Sequence, residues 1–550
     1  MIRDDLRGIV LEAVERAQGD HQLPAVAVPE ITVEHPANEA HGDYASSLPL
    51  RLARAARMDP MGIASAIATH VALPESVAAV RIAAPGFLNF HLASGWLARQ
   101  VNAILEAGER YGAADVGLGR SVQVEYVSAN PTGPLHVGTG RGAALGDSLA
   151  RVLHHAGFRV DREYYVNDAG SRMEAFNASV YARYAQHFGI TRDVPEDGYP
   201  GEYLRDVAGT IADMEGRRFL EVAEGAAADA LGRQAIELLL ADARADLERL
   251  NVSFDRWFFE QTLFEQGQVQ RALSFLRQRG YVVEREGAVW FTSSALGDDK
   301  DNVLVRSNGL PTYFASDIAY HYLKLVERGY DIAVNVWGAD HQGHVPRMKA
   351  VVGAMGVDPA RLVILIYQLV NLIRDGRPVS MAKRTGTFVS LREVLDEVGP
   401  DAIRFFLLGR SPDAMMDFDL DLAKAQSEAN PVYYVQYAHA RIASILKRAE
   451  GIDYRSGDTD LLREPTELAL VRKMLVLPEI VFDAATSFAP HPLPHYAQEL
   501  AAAFHAFYTE CRVIGSDPEL TRARLKLVAA CRSALATTLG LIGVSTPDQM

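Results

Sequence analysis

Cysteine is almost missing from this chain: Cys511 and Cys531 are the only two in 550 residues. Two thiols exclude a disulfide framework and a four-cysteine metal site. They fit a reducing compartment, so a cytoplasmic location is expected. No apolar run approaches the roughly 18–20 residues that cross a bilayer, which predicts no membrane span. The opening Met1–Arg7 stretch leads straight into an amphipathic pattern, and no signal-type apolar segment is expected. Gly-Lys never occurs as a dipeptide, so a Walker A phosphate loop is excluded. Internal repeats and low-complexity tracts are missing too. Basic residues are in deficit, 55 Lys and Arg against 70 Asp and Glu, a net charge of −15. That balance argues against an indiscriminate coat for polyanions. It leaves a selective binder open, because phosphates respond to local basic patches within about a Debye length.

What remains is a globular composition, 49% apolar and 23% charged, on a chain long enough for several domains. Residues 1–112 read as an α+β unit, with helical spacing over Leu6 to Ala17 and Leu48 to Met58. Strand-like pieces follow at Val77 to Ile82 and Phe87 to Leu92. Residues 113–422 alternate strands and helices, which predicts a Rossmann-like parallel α/β sheet. Strands are expected at Val122 to Val127, Val160 to Val166, Val282 to Phe291, Val303 to Val305, Ile332 to Trp337 and Leu362 to Leu369. Asp168 to about Leu250 reads as long and helical, and the stretch 170–280 as an insertion between two halves of one nucleotide-binding fold. Residues 423–550 look all-helical, interrupted near Pro465 and Pro490 to Pro494.

The run Val124-Glu-Tyr-Val-Ser-Ala-Asn-Pro-Thr-Gly-Pro-Leu-His-Val-Gly-Thr-Gly-Arg-Gly142 carries the strongest signal. An apolar strand ends in Asn130-Pro131 and a Gly/Pro loop, and a small-residue helix is expected to begin near Gly140. Such a loop makes an anion site, because N–H groups and the helix dipole face its ligand. His136 adds a donor. The glycine spacing is too tight for a dinucleotide fingerprint. A second constellation is Val379-Ser-Met-Ala-Lys-Arg-Thr-Gly-Thr-Phe-Val389, where Lys383 and Arg384 suit a clamp on a polyphosphate. A third is Trp337-Gly-Ala-Asp-His-Gln-Gly-His344. His341 and His344 stand at H-x-x-H spacing but lack a third ligand nearby, so no metal site is expected. Tyr313 and Asp317 lie four apart and share one helix face, and Glu260 follows the aromatic run Phe254-Asp-Arg-Trp-Phe-Phe. Carboxylates beside aromatic faces suit a planar guanidinium.

On these motifs the chain resembles the arginyl-tRNA synthetases, which are class I aminoacyl-tRNA synthetases. The histidine loop resembles the HIGH motif, with Thr139 at its second histidine, and the Lys383 loop resembles KMSKS, with Ser380 and Ala382 substituted. Ala40-His-Gly-Asp-Tyr-Ala-Ser46, Ala84-Pro-Gly-Phe-Leu-Asn-Phe90, Tyr164-Tyr-Val-Asn-Asp-Ala-Gly170, Gly198-Tyr-Pro-Gly-Glu-Tyr203 and Asn430-Pro-Val-Tyr-Tyr-Val-Gln-Tyr-Ala-His-Ala-Arg441 carry it along the whole chain. The resemblance implies ATP-dependent ligation of L-arginine to tRNA(Arg), with Mg2+ accompanying ATP and no structural metal. It also implies an N-terminal tRNA-contacting unit and a C-terminal anticodon-binding unit. A monomer is expected.

Residue roles follow from the same resemblance. His136, Thr139 and Lys383 would be catalytic. Pro131, His136, Gly138, Thr139, Gly140, Arg141, Gly142, Gly338, Asp340, His341, Met381 and Lys383 would bind ATP. Glu125, Ser128, Asn130, Glu260, Tyr313, Asp317 and Gln342 would bind arginine. Asn89, Tyr434, Tyr437 and Met550 would meet tRNA. Arg141 is expected to compensate for the charge that Thr139 lacks. The rival reading is a catalytically silent tRNA-binding paralogue, which has no need of an arginine pocket. A cysteinyl enzyme would need metal-spaced cysteines, and a glutaminyl one would not need the acids. A small nucleotidyltransferase would leave the helical C-terminal unit unexplained.

Overall fold

Five strands in the order Leu362–Tyr367, Ile332–Gly338, Ser121–Glu125, Arg159–Val166 and Arg256–Phe259 form the central sheet, and every pairing is parallel. The computed structural model describes residues 1–297, 300–379 and 389–550. Chain order runs outward in both directions from Ser121–Glu125, so the topology reverses between that strand and Ile332–Gly338. Open α/β sheets bind ligands at the carboxyl ends of the strands flanking such a reversal. Val122, Val124, Ala333 and Val334 are fully buried there, as helices cover both faces.

The α+β unit holds four helices, Ile2–Gly19, Leu48–Ala56, Pro60–His70 and Ser94–Ala107, against a sheet in the order Tyr44–Ser46, Phe87–Leu92, Val77–Ala83. It docks on the C-terminal helices. Arg3 grips Asp483 with two hydrogen bonds of 2.8 and 2.9 Å, and the buried Tyr44 hydroxyl donates to Glu479 at 2.8 Å. The C-terminal unit is built on helices Pro431–Arg448, Pro465–Leu475, Leu477–Ser487, Pro492–Glu510 and Pro518–Leu541. Each has proline at its first or second position, where the missing N–H costs nothing. The prolines expected to interrupt this unit therefore begin its helices.

Two expectations need correction. Val282–Arg285, Ala288–Phe291 and Asn302–Val305 do not extend the parallel sheet but make a separate antiparallel one. The tight Glu286-Gly287 turn, both residues at positive φ, selects a hairpin. The helices Ser171–His187, Tyr203–Glu215 and Glu224–Arg249 end where the helical stretch was expected to, near Leu250, but the insertion does not run on to 280. Arg256–Phe259 returns to the central sheet as its edge strand, so it lies within the stretch read as insertion.

Candidate functional site

The strand Ser121–Glu125 runs out into a strained turn: Val127 and Ser128 have φ of 69° and 39°. A β-branched residue seldom accepts positive φ, so the surrounding contacts must hold it. The Tyr165 N–H donates to Ser128 Oγ at 3.1 Å, and the Tyr164 hydroxyl donates to the Ala129 carbonyl at 3.0 Å. Further on, the insertion's Tyr203 donates to the Thr132 carbonyl at 2.5 Å. Asn130 stays exposed and Pro131 is buried.

The helix that follows spans Val137–His155 and begins three residues earlier than Gly140, the expected start. Small residues weaken the periodic signal that locates a helix start. His136 is its N-cap, its Nδ1 accepting the Thr139 N–H at 3.2 Å. Nδ1 is therefore unprotonated and Nε2 carries the proton, facing Thr139 Oγ1 at 3.2 Å. Thr139, only 4% exposed, thus orients the exposed imidazole. By helix geometry the Val137 and Gly138 N–H groups lack an intrahelical acceptor. The Gly140 N–H is committed to the His136 carbonyl at 3.1 Å.

Gly140, Arg141 and Gly142 were expected to cradle phosphate, and the structure puts them to other use. A Cβ on Gly140 would stand 2.9 Å from Leu391, and one on Gly142 2.9 Å from the Tyr367 ring. These glycines admit neighbours to the helix. Arg141 is 1% exposed and donates to the carbonyls of Gln368, Ala414 and Ser411 at 2.8–2.9 Å. Its charge is spent on structure, so it does not compensate for Thr139. Met381, Lys383 and Arg384, with the Ser380 and Ala382 substitutions, lie outside the described residues. The residues just beyond them are tied to the histidine loop: Ser390 bridges His136, and the Leu391 N–H donates to the Leu135 carbonyl at 2.7 Å.

Across the reversal point, Gly338 opens the short helix Ala339–His344, which holds Asp340, His341 and Gln342 exposed. The His341 and His344 rings lie 5.9 Å apart. No group of three metal-ligating side chains occurs among the described residues.

The acids gather on the other flank. Glu260 caps the short helix Gln261–Glu265 and is 3% exposed, and its Oε2 has no hydrogen-bond partner. Burial raises its carboxyl to about 7, against hydrogen bonds from Ser316 and Tyr165, while the Asp168 charge adds to the rise. Asp317, on the helix Tyr313–Tyr322, is likewise raised to about 7, by burial first and then by the charges of Glu260 and Glu125. No ion pair to either is seen among the described residues, though the Lys324 and Arg347 charges act against the rise at Asp317. Tyr313 stands half-exposed at the mouth, with Gly170 close against its ring. Glu125, 6% exposed, is paired instead with buried Lys324. Tyr165, Ser316 and Lys324 escaped the sequence reading. The only trace was the spacing of Tyr320, Lys324 and Arg328, four apart along one helix face.

Farther away, Tyr434 and Tyr437 are half-buried on Pro431–Arg448, and both pack on His505, with centroids at 4.9 and 6.0 Å. Met550 is 54% exposed. Asn89 is a correction: at the centre of its sheet it is 4% exposed, and Arg81 opposite it reaches solvent instead.

A reversed parallel sheet, a histidine-capped helix at its carboxyl edge and a helical C-terminal unit define a class I aminoacyl-tRNA synthetase. Residues 100–442 match the family described as tRNA synthetases class I (R), catalytic domain. Residues 4–92 match the arginyl tRNA synthetase N terminal domain, and 435–550 the DALR anticodon binding domain. An arginine–tRNA ligase of Dehalococcoides mccartyi (strain CBDB1) is 50% identical over 551 residues, 99% of each chain. One of Desulforudis audaxviator (strain MP104C) is 50% identical over 546 residues, 98% of this chain and 97% of its own. Thermus thermophilus arginyl-tRNA synthetase superposes with a TM-score of 0.78 at 27% identity, both chains fully covered. This chain belongs to the arginyl-tRNA synthetase family.

Proposed function

We propose that the pocket between the histidine loop and the acid flank ligates L-arginine to tRNA(Arg) at the expense of ATP. The arginine carboxylate attacks the α-phosphate, pyrophosphate leaves, and the arginyl group then passes to the 3′-terminal adenosine of tRNA. One observation carries the substrate: Glu260 and Asp317 are carboxyls raised to about 7 by burial, neither ion-paired among the described residues, beside the half-exposed Tyr313. A guanidinium supplies the missing charge, the donors and a plane to stack. Asn130 and Gln342, both exposed and following the two strands that flank the reversal point, take the α-amino and carboxylate end, with Ser128 and Glu125 beside them.

No side chain becomes covalently modified; rate comes from positioning and from charge set where the phosphates gather it. The Val137 and Gly138 N–H groups meet the phosphates, joined by His136 once its Nε2 proton turns from Thr139 Oγ1 to the ligand. Gly338, Asp340 and His341 meet adenosine, and Pro131 shapes the loop floor. Lys383 meets the leaving pyrophosphate, seven residues before Ser390, whose bridge to His136 supports that reach. Mg2+ arrives on ATP as part of the substrate. Tyr434, Tyr437 and Met550 contact the anticodon arm, the partly open tyrosine rings offering faces on which splayed bases stack. The enzyme acts as a cytoplasmic monomer.

Aminoacylation of total tRNA with labelled arginine, beside lysine and glutamine controls, tests this reading. Arginine alone should be incorporated. No arginylation at any enzyme concentration would transfer the case to the silent tRNA-binding paralogue.

A further inference from the structure

Parallel strands covered on both faces ordinarily bury aliphatic side chains. Here Gln123, Glu125, Glu163 and Asn335 occupy that position, all 6% exposed or less. The helix that carries Asp317 widens into a π-turn over Leu323–Glu327, a feature that recurs at functional sites. Tyr320, Lys324 and Arg328 point from it into this polar layer. Arg328 takes Glu163 with two hydrogen bonds of 2.7 and 3.0 Å, and the Tyr320 hydroxyl donates to the same carboxylate at 2.6 Å. Lys324, fully buried, takes Glu125, and its ammonium lies 3.9 Å from the Tyr320 ring centroid.

Lys324 does more than neutralise. It donates to Asn335 Oδ1 at 3.0 Å, which makes the other end of that amide a donor. Asn335 Nδ2 therefore gives its proton to His321 Nε2 at 2.7 Å, and His321 Nδ1–H donates to the Asp317 carbonyl at 2.7 Å. The imidazole is neutral, because burial and the Lys324 charge hold it down to about 3. An unbroken chain thus runs from the Glu125 carboxylate through one cation, one amide and one imidazole to the backbone of Asp317. Buried ion pairs add little to stability against an apolar replacement, so the layer calls for another purpose.

We propose that Lys324 is a positioning residue for arginine recognition: it holds Glu125 in place, and ties that carboxylate to the backbone carrying Asp317. The proposal rests on Glu125 and Asp317 being arginine ligands. Glu260 and Asp317 are left open for the substrate's guanidinium, whereas Glu125 is supplied with its own cation. Three acids thus face the site and one ammonium is paired among them, a balance that admits a cationic side chain.

The test is steady-state aminoacylation by the full chain, comparing wild type, Lys324→Met, Glu125→Gln and the double variant. Lys324→Met should raise KM for arginine by ~30-fold, as loss of one member of a buried charge pair does, with KM for ATP and tRNA within about 2-fold. In the Glu125→Gln background the same change should cost less than about 3-fold, because the partner it positions is already lost. An undiminished effect in that background, or a parallel rise in all three KM values, would overturn the proposal. Glu125→Gln with arginine KM unchanged would instead indict the pocket assignment itself. Should Lys324→Met not fold, Lys324→Arg decides. A selective rise of at least about 3-fold in arginine KM supports the positioning role, and an unchanged KM refutes it.

Discussion

Glu260 and Glu163 are the same residue type on neighbouring segments, each at most 3% exposed, and their surroundings treat them in opposite ways. Glu163 is saturated by Arg328, Tyr320 and Gln123. Glu260 keeps one buried oxygen without a partner among the described residues, and its carboxyl rises to about 7. A buried acid with its cation belongs to the framework. A buried acid without one is a standing cost that a ligand must relieve. On the proposed assignment, the two regions separate what holds the sheet together from what waits for arginine.

The comparison can be broken by four measurements, the largest effect first. Glu260→Gln removes a charge that only the substrate pairs, so arginine kcat/KM should fall by ~100-fold, about 3 kcal/mol, in aminoacylation assays. KM for ATP should hardly move. Glu163→Gln leaves Arg328 buried beside a neutral amide and should cost about 3 kcal/mol of stability in denaturant unfolding, with arginine KM nearly unaltered. Were Glu163→Gln to damage arginine KM as much as Glu260→Gln, the division would fail.

Stability gives a third measurement. The folded state holds the Glu260 proton up to about pH 7, whereas an unfolded glutamate releases it near its ordinary value. Stability is therefore lost as pH rises through that window, and the full cost is present at pH 8. Glu260→Gln should then raise the melting midpoint of the empty enzyme at pH 8, by about 2 kcal/mol of stabilisation, even as it destroys activity. A lowered midpoint would count against an open pocket. Fourth, KM for arginine should rise ~10-fold between pH 7.5 and pH 6.5, as protons compete with the guanidinium for Glu260 and Asp317. A flat profile would mean that neither acid titrates in this range.

Much of the frame was legible in the chain because it is written in local patterns. Strand–loop–helix signals around His136 and Ile332–Gly338, and the helical C-terminal unit, need only periodicity and turn residues. Other features depend on what sits opposite. Arg141 looks like a phosphate ligand in a glycine loop, because the sequence displays its charge and hides the three carbonyls that use it. Asn89 looks available in a motif and proves buried at the centre of a sheet. Glu260 and Asp317 could be grouped only through the family resemblance, since nothing local brings them together. Lys324 was invisible for the same reason, as its meaning lies in Glu125 and Asn335, on two strands far apart in the chain.

The central claim is that two carboxyls are kept without a cation until arginine arrives. Isothermal titration of arginine into the enzyme at pH 7, repeated in buffers of different ionisation enthalpy, counts the protons exchanged on binding. With Glu260 and Asp317 both near 7, the empty pocket holds about one proton between them, and the guanidinium should expel it. The account predicts release of about one proton per arginine at pH 7, vanishing by about pH 9 and reduced in Glu260→Gln. Binding with no proton release at pH 7 would contradict it.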